Sequence, residues 1–325
     1  MSAAALGAPF PWFGGKSRAA DLVWSRFGDV DNYVEPFAGS AAMLLARPHI
    51  GSVETINDAD GFVCNFWRAV RSSPGEVSHA ADWPINEADL LARHSWLVRQ
   101  RDGLLDRLHG DPHYFDPVIA GWWLWGSCAW IGSGWCSGQG PWIHDGFTIV
   151  DSRQLPHLSN AGQGINRQLP HLGDAGRARS EFICAWMQAL SERLRHVRVA
   201  CGDWSRVLSE SVTTRHGMTA VFLDPPYTDG SMDYAAGGVG GALAADVRDW
   251  CARHGGNQCL RIALCGHAGE HDDLLDHGWS MDYWHARKGY ASTAEAQARS
   301  SSETIWFSPA CCGPARSRGL FDGAD

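Results

Sequence analysis

Four consecutive residues, Asp224-Pro225-Pro226-Tyr227, combine groups suited to chemistry on the amino group of a planar ring. They follow an apolar run at residues 221–223 that predicts a strand. Two prolines remove two backbone donors and stiffen the turn, so the Asp224 carboxylate and the Pro225 carbonyl remain as acceptors in fixed positions. Tyr227 supplies a ring that can stack on a base. Acceptors that bind the N–H groups of the amino nitrogen favour its pyramidal state, in which its lone pair can attack a methyl group. This mechanism relies on electrostatic positioning and not on a strong base.

A second group of residues has the spacing of a nucleotide-binding site. Gly39 follows a predicted strand at residues 33–37, and a glycine there lets the backbone approach a ligand closely. Asp58 stands about 20 residues further on, next to the predicted strand at residues 53–56, where its carboxylate can accept both hydroxyls of a ribose. Together Gly39 and Asp58 predict a site for a cofactor that contains a nucleoside.

The segment Gly14-Gly15-Lys16-Ser17 has the ending of a Walker A loop. That loop requires its first glycine at position 10, where this chain has Phe10, and no convincing strand precedes it. A phosphate-binding NTPase loop is therefore disfavoured. Lys16 is either a cofactor-site residue or a plain surface lysine.

The middle of the chain carries a basic segment on an acidic protein of net charge -9. Between positions 153 and 198 there are seven arginines and three acids, and the hexapeptide at residues 153–158 recurs at residues 167–172. A local basic face can bind DNA phosphates even when the average charge is negative. The candidate DNA-binding residues are Arg153, Arg167, Arg177 and Arg179; the alternative is a solvated helix face. His157 and His171 lack further ligands at metal-site spacing, so no metal is predicted.

A tryptophan-rich stretch lies just before this basic segment. Its members are Trp122, Trp123, Trp125, Trp130, Trp135 and Trp142. Rings of this size mostly pack in a core. The alternative is that one or two of them contact DNA or fill the space that an extruded base leaves.

Strands and helices alternate at both ends of the chain and are interrupted between them. Further strands are predicted at residues 197–200, 261–264 and 304–307, the last as an edge strand, and helices at 41–45, 62–70, 181–194 and 246–253. This order predicts an α/β domain built from residues 1–73 and 197–309. An inserted target-recognition or DNA-binding subdomain then covers residues 74–196, and a flexible tail covers residues 310–325.

The bulk composition is that of a globular protein. The chain has 325 residues, 45% of them hydrophobic and 19% charged. No apolar run reaches the roughly 20 residues of a membrane helix, and the N-terminus lacks the pattern of a secretory signal. The ten cysteines include no Cys-x-x-Cys pair, so they are expected to be reduced thiols. We expect a cytoplasmic protein, with no membrane partner, in a bacterial or phage-infected cell.

Several segments resemble the Dam-type (D12 class) family of DNA adenine-N6 methyltransferases. The resemblance rests on the tetrad at residues 224–227 and on four further segments, Trp12-Phe13-Gly14-Gly15-Lys16, Glu35-Pro36-Phe37-Ala38-Gly39-Ser40, Asn57-Asp58 and Cys201-Gly202-Asp203-Trp204. Their order also matches that of the family. One departure is Ala41, where the family often has a second glycine.

The resemblance implies a mostly parallel, seven-stranded Rossmann-like sheet with S-adenosyl-L-methionine as cofactor. It implies that the catalytic residues are Asp224, Pro225, Pro226 and Tyr227. It also implies a set of cofactor-binding residues: Trp12, Phe13, Gly14, Lys16, Glu35, Pro36, Phe37, Ala38, Gly39, Ser40, Asn57, Asp58, Asp203, Trp204 and Asp224. The expected partner is double-stranded DNA whose target adenine is flipped out of the helix, and the protein is expected to be a monomer or weak dimer.

Two alternatives stay open at this point. Another acceptor, namely cytosine N4, an RNA adenine or a protein glutamine, can use the same kind of tetrad. A non-catalytic DNA-binding module on the same scaffold is the second alternative, although an intact Asp224 and Asp58 speak against it. A cytosine-C5 enzyme is disfavoured because no Pro-Cys dipeptide occurs.

Overall fold

A computed structural model describes residues 6–10, 12, 16–49, 52–130, 135–136, 179–226, 240–284 and 303–313. Within these residues a seven-stranded sheet has the order β3-β2-β1-β4-β5-β7-β6. The strands are β1 Asn32–Glu35, β2 Val53–Asp58, β3 Val197–Cys201, β4 Thr219–Leu223, β5 Leu260–His267, β6 Ser280–Trp284 and β7 Glu303–Phe307. Strands β1 to β5 run parallel, and β7 lies antiparallel between β5 and β6. This mixed, mainly parallel sheet confirms the predicted fold class.

The sheet is covered on both faces, and its side chains alternate between two hydrophobic cores. In β4, Ala220 and Phe222 belong to one core, whereas Val221 and Leu223 belong to the other. Residues of a strand point alternately to opposite faces, so a strand buried on both faces is apolar throughout. This explains why residues 219–223 form a continuous apolar run.

The helices lie on both faces of the sheet. They are α1 Ala20–Phe27, α2 Ala42–Leu45, α3 Gly61–Ser72, α4 Pro74–Ala81, α5 Glu87–Gly110, α6 Pro117–Ala129, α7 Arg179–Arg193 and α8 Gly240–His254. Asp60, Asn86 and Asp116 cap α3, α5 and α6, because their side chains accept hydrogen bonds from the free backbone N–H groups of the first turn. In the described parts of the chain no helix is long and apolar enough to cross a membrane.

The described helices of the predicted insertion pack in the same core as one face of the sheet. Val77 of α4, Leu97 of α5 and Trp123 of α6 share that core with Phe222 of β4. The hydrophobic core therefore continues across position 74. The division of the chain into a catalytic domain and a recognition insertion remains a prediction.

Two local expectations for the C-terminal part were wrong. The last strand, β7, is not an edge strand, because it pairs with β5 on one side and β6 on the other. Strand β6 was not anticipated, and it forms the edge instead. Residues 311 and 312, which the flexible tail was expected to include, are instead held by contacts: the backbone N–H of Cys312 donates to the carbonyl of Arg26, and Cys311 packs against the core.

The helices of residues 74–129 were also not anticipated. Helix α5 is the longest described helix, yet its buried positions include the polar Arg93 and His94. Arg93 is accommodated because its guanidinium stacks over the rings of Trp83, Trp122 and Trp125 at 4.9, 4.8 and 4.5 Å. A buried charge of this kind hides the helical periodicity in the sequence.

Candidate active site

The predicted cofactor and catalytic residues that the structure describes meet at one edge of the sheet. The carboxyl ends of neighbouring parallel strands lie at this edge, where open α/β sheets bind ligands. The residues found there are Glu35, Pro36, Phe37, Ala38, Gly39, Ser40, Asn57, Asp58, Asp203, Trp204, Asp224, Pro225 and Pro226, together with Trp12 and Lys16 from the N-terminal segment.

The loop after β1 is fastened to the end of β2 through Gly39 and Asp58. The Gly39 N–H donates to Oδ2 of Asp58 at 2.8 Å, and the Gly39 carbonyl accepts from Nε1 of Trp67 at 2.9 Å. Gly39 has a φ of +44°, and a Cβ at this position would lie 2.3 Å from Nε1 of Trp12. A glycine is therefore required here both by the backbone conformation and by the close approach of the Trp12 indole.

Ala41, the departure from the family pattern, also adopts a left-handed conformation, with φ of 49°. This conformation strains any residue with a Cβ atom. It gives a physical reason for a second glycine in the family. In this chain the alanine is tolerated, with its methyl group fully buried in the core.

Asn57 ties three strand ends together. Its Nδ2 donates to the carbonyl of Pro36 at 3.0 Å and to the carbonyl of Gly202 at 2.9 Å. The Gly202 N–H in turn donates to the carbonyl of Asp58 at 2.8 Å. The loops after β1, β2 and β3 are thereby held in one arrangement.

Aromatic rings from two of these loops stack on each other. The rings of Phe37 and Trp204 lie 6.1 Å apart at an interplanar angle of 24°. Phe37 is half-buried and Trp204 is almost fully buried. Asp203 is exposed and caps the short 3-10 helix Trp204–Val207, because its Oδ1 accepts from the N–H of Ser205. The pair offers an apolar platform at the rim of the edge.

Glu35 is buried beneath the loop that it begins. Its Oε2 accepts from the Tyr33 hydroxyl at 3.0 Å and from the Leu44 N–H at 3.1 Å. Burial raises its pKa to about 8, although both hydrogen bonds oppose the shift. These contacts are internal to the protein, so Glu35 supports the loop, and its direct contact with a cofactor remains a prediction.

Asp58 is half-buried at the end of β2. In addition to Gly39, the N–H of Asp60 donates to its Oδ1 at 2.9 Å. Burial raises the pKa of Asp58 to about 6 against the opposing effect of these hydrogen bonds. Each carboxylate oxygen has two lone pairs, so both oxygens can still accept a hydroxyl proton from a ligand.

Lys16 joins the N-terminal segment to the strand ends. Its Nζ lies 3.1 Å from Oδ1 of Asp224 and 3.3 Å from Oε2 of Glu303. The Lys16 side chain is 3% exposed, that of Glu303 9% and that of Asp224 18%. Burial alone would lower the pKa of Lys16, but the carboxylates of Asp224 and Glu303 outweigh burial and the pKa is raised. Lys16 is therefore a buried cation and not a surface lysine.

Several predicted site residues lie outside the described residues. These are Phe13, Gly14, Tyr227, Arg153, Arg167 and Arg177. Arg179 begins α7, but its side chain also lies outside the described part. The stacking role of the tyrosine and the basic face therefore stay predictions.

Sequence reasoning missed Glu303 and Trp67. Glu303 begins a strand about 80 residues after the tetrad, and only its acidic type before an apolar run hinted at a role. Trp67 lies on a buried face of α3, and the predicted helix at residues 62–70 contains it without indicating a role at the site. Nothing in the local sequence reports that either residue reaches the edge of the sheet.

The described tryptophans of the Trp-rich stretch are packed in the core. Trp123, Trp125 and Trp130 are at most 3% exposed, and Trp122 and Trp135 are partly buried. The Trp135 ring fits against Gly126, where a Cβ would lie 1.8 Å from it. This favours the packing interpretation for these five rings; Trp142 lies outside the described residues.

Comparison with known proteins identifies one family. Residues 12–88 match the model of the D12 class N6 adenine-specific DNA methyltransferases. The matched stretch includes the loop after β1, the end of β2 and helix α3. No curated protein matches the chain.

Proposed function

We propose that the chain methylates adenine N6 at a specific site in double-stranded DNA, because residues 12–88 match the model of the D12 class of N6 adenine-specific DNA methyltransferases. The family match supports S-adenosyl-L-methionine-dependent methylation of DNA adenine in general. The observation that carries the finer proposal is the ion pair of Lys16 with Asp224, next to the loop in which Gly39 and Asp58 are hydrogen-bonded.

The chemistry of the residues at the edge fits S-adenosyl-L-methionine. Asp58 is a half-buried carboxylate that can accept hydrogen bonds from ribose hydroxyls. Phe37 and Trp204 offer apolar rings for an adenine. Gly39 has a left-handed backbone conformation, and the Trp12 indole packs directly against it. When bound, the cofactor supplies an electrophilic methyl group on a sulfonium. Asp58, Phe37 and Trp204 would hold its adenosine half, and Trp12 and Lys16 would lie toward its methionine end.

The residues of the tetrad would act by holding the acceptor amino group. Asp224 follows the buried strand β4, and Pro225 is buried directly behind it, so the carboxylate and the Pro225 carbonyl lie on a stiff backbone. Both accept hydrogen bonds from the amino group and orient its lone pair toward the methyl group. The surplus proton leaves to solvent after transfer, so no strong general base is required.

An adenine amino group inside a duplex cannot reach such an edge, so we infer that the base is flipped out. Tyr227 would stack on the flipped base, and Arg153, Arg167, Arg177 and Arg179 would contact DNA phosphates or guanines. We expect the protein to act in the cytoplasm as a monomer or weak dimer. A role in restriction-modification or in a phage is a further expectation.

The deciding experiment is methyl transfer from labelled S-adenosyl-L-methionine to mixed-sequence duplex DNA, followed by nucleoside mass spectrometry. We expect N6-methyldeoxyadenosine from the wild type. The variant Asp224→Ala should lose at least about 10²-fold in kcat, the usual cost of removing a group that stabilises the transition state. The control Asp246→Ala removes an exposed acid of α8 and should keep full activity.

Each other result has a definite meaning. Near-normal turnover by Asp224→Ala would refute the role of the tetrad. N4-methyldeoxycytidine would move the acceptor to cytosine, and methylation only of RNA or protein would move it out of DNA. Cofactor binding without any methylated product would favour a non-catalytic DNA-binding module.

A further inference from the structure

The buried ammonium of Lys16 has two carboxylate partners from different strands. Asp224 follows β4, whereas Glu303 begins β7, and β5 lies between them in the sheet. Lys16 Nζ is 3.1 Å from the first carboxylate and 3.3 Å from the second. One cation therefore bridges the two sides of β5 at the edge where the candidate active site lies.

The two carboxylates differ in their access to a ligand. The Asp224 side chain is 18% exposed, whereas that of Glu303 is 9% exposed. Glu303 pairs in register with His267 of β5 and with Trp284 of β6, so its backbone is held from both sides. Asp224 is consequently the more accessible of the two acids. Glu303 is the more buried one, and its backbone is fixed by two neighbouring strands.

Sheet geometry explains why Glu303 faces Lys16. Side chains alternate along β7, and Ile305 and Phe307 belong to the core on the α3–α7 face, whereas Trp306 belongs to the opposite core. Glu303 is in phase with Ile305, and Thr304 is in phase with Trp306. Changing Thr304 thus alters the same strand on the opposite face and provides a matched control.

We propose that Glu303 is a positioning residue that holds the Lys16 ammonium, which in turn fixes the Asp224 carboxylate toward the acceptor amino group. An ammonium group with one carboxylate partner can move around that carboxylate. An ammonium group held between two carboxylates has one stable position. A buried cation that loses one partner is left poorly compensated. This inference rests on the proposed role of Asp224.

Among the described residues, the other ionisable groups near Lys16, Asp224 and Glu303 are Glu35, Cys265 and His267. Burial raises the pKa of Cys265, so this thiol stays neutral. Burial likewise raises the pKa of Glu303, and Lys16 opposes that rise.

The test uses Glu303→Gln, which keeps the size of the side chain and removes its charge. We expect kcat for DNA methylation to fall at least about tenfold, while KM for DNA and the Kd of S-adenosyl-L-methionine stay within about threefold, because Glu303 is not among the residues proposed to bind either ligand. Thr304→Val should keep wild-type kcat. Glu303→Asp keeps the charge but shortens the reach, and it should recover part of the lost kcat.

A second measurement observes Lys16 itself and does not require activity. The chain has only two lysines, Lys16 and Lys288, so NMR of lysine labelled at the ε-carbon gives two signals, and Lys288→Arg assigns them. In Glu303→Gln the pKa of Lys16 should fall, because one of the two carboxylates that raise it loses its charge. In Thr304→Val it should be unchanged.

The possible outcomes separate this inference from the proposed function. If the wild type makes N6-methyldeoxyadenosine but Glu303→Gln keeps its kcat, or Lys16 titrates as in the wild type, the inference is wrong and the function stands. If Glu303→Gln and Glu303→Asp lower kcat and thermal stability equally, with no change in the pKa of Lys16, Glu303 is a packing residue and the inference is overturned. If the wild type methylates nothing, the proposed function is wrong. If, in addition, Lys16 has the same pKa in Glu303→Gln as in the wild type, the contact between Glu303 and Lys16 is refuted as well.

Discussion

At the scale of single residues, burial determines which acids of the site carry charge. Glu35 and Asp58 are the last residues of the neighbouring strands β1 and β2, and their pKa values are raised to about 8 and about 6. Glu35 is 3% exposed and accepts two internal hydrogen bonds, whereas Asp58 is half-buried. At neutral pH, Glu35 is thus mainly a neutral support of the loop and Asp58 mainly an anion available to a ligand.

The raised pKa of Glu35 makes stability depend on pH. Between pH 4.5, the ordinary pKa of a glutamate, and about pH 8, the folded state keeps a proton that the unfolded state releases. The stabilisation is therefore complete below pH 4.5 and is lost as the pH rises toward 8, at up to about 1.4 kcal/mol per pH unit. Glu35→Gln stays neutral at every pH and should lack this loss. The free energy of unfolding of the variant should therefore increase relative to that of the wild type as the pH rises.

Urea unfolding at several pH values from 5 to 8.5 measures this difference. Glu76→Gln, which changes an exposed acid of α4, is the control and should follow the wild-type curve. If Glu35→Gln also runs parallel to the wild type over this range, Glu35 is ionised in the folded protein and the prediction is wrong.

At the scale of elements, helix α6 packs closely against α4. A Cβ at Gly121 of α6 would lie 2.5 Å from Cβ of Ala80 and 2.8 Å from the carbonyl of Val77. The two backbones approach each other so closely because position 121 has no side chain. Gly103 of α5, by contrast, is exposed and would meet nothing within 4 Å.

These two glycines give opposite predictions for the same substitution. Gly121→Ala should lower the free energy of unfolding by about 1–3 kcal/mol, because the helices must move apart. Gly103→Ala should raise it by about 0.5–1 kcal/mol, because alanine loses less backbone entropy in a helix. Chemical denaturation of both variants measures the effects, and equal shifts of the same sign would contradict the packing of α4 on α6.

At the scale of the whole molecule, the helices of residues 74–129 and the sheet share one core. Trp123 of α6 contacts Phe10 and Phe66, with ring centroids 4.8 and 6.0 Å apart. Phe10 and Phe66 belong to the same core as Phe222 of β4. A helical layer joined to the sheet in this way should not unfold on its own.

We therefore expect α6 and β4 to lose protection against hydrogen exchange at the same urea concentration. Peptide-resolved mass spectrometry across a denaturant series gives the two midpoints, and far-UV circular dichroism should show a single transition. Earlier loss of protection in α4–α6, while β4 stays protected, would instead identify an independently unfolding subdomain, as the predicted insertion at residues 74–196 implies.

Much of the fold was predictable because its signals are local. The apolar runs before Glu35, Asp58 and Asp224 predict buried strands, and polar groups placed directly after such strands collect at one edge. Side-chain type and spacing along the chain were thus sufficient to predict the fold class and most residues of the candidate site. Helix α5 was missed because a buried arginine interrupts its pattern, and its partners are tryptophans that only packing brings to it.

From the sequence alone came the chemistry of the tetrad, the pairing of Gly39 with Asp58 and the α/β class, since each depends on residues close together in the chain. The tertiary structure decided which carboxylates are buried, that Lys16 is a buried cation, and that Glu303 is its second partner. Glu303 and Lys16 are separated by almost the whole chain, and their contact exists only because β7 inserts antiparallel between β5 and β6. Strand order and burial arise from packing the whole chain, which no local pattern encodes.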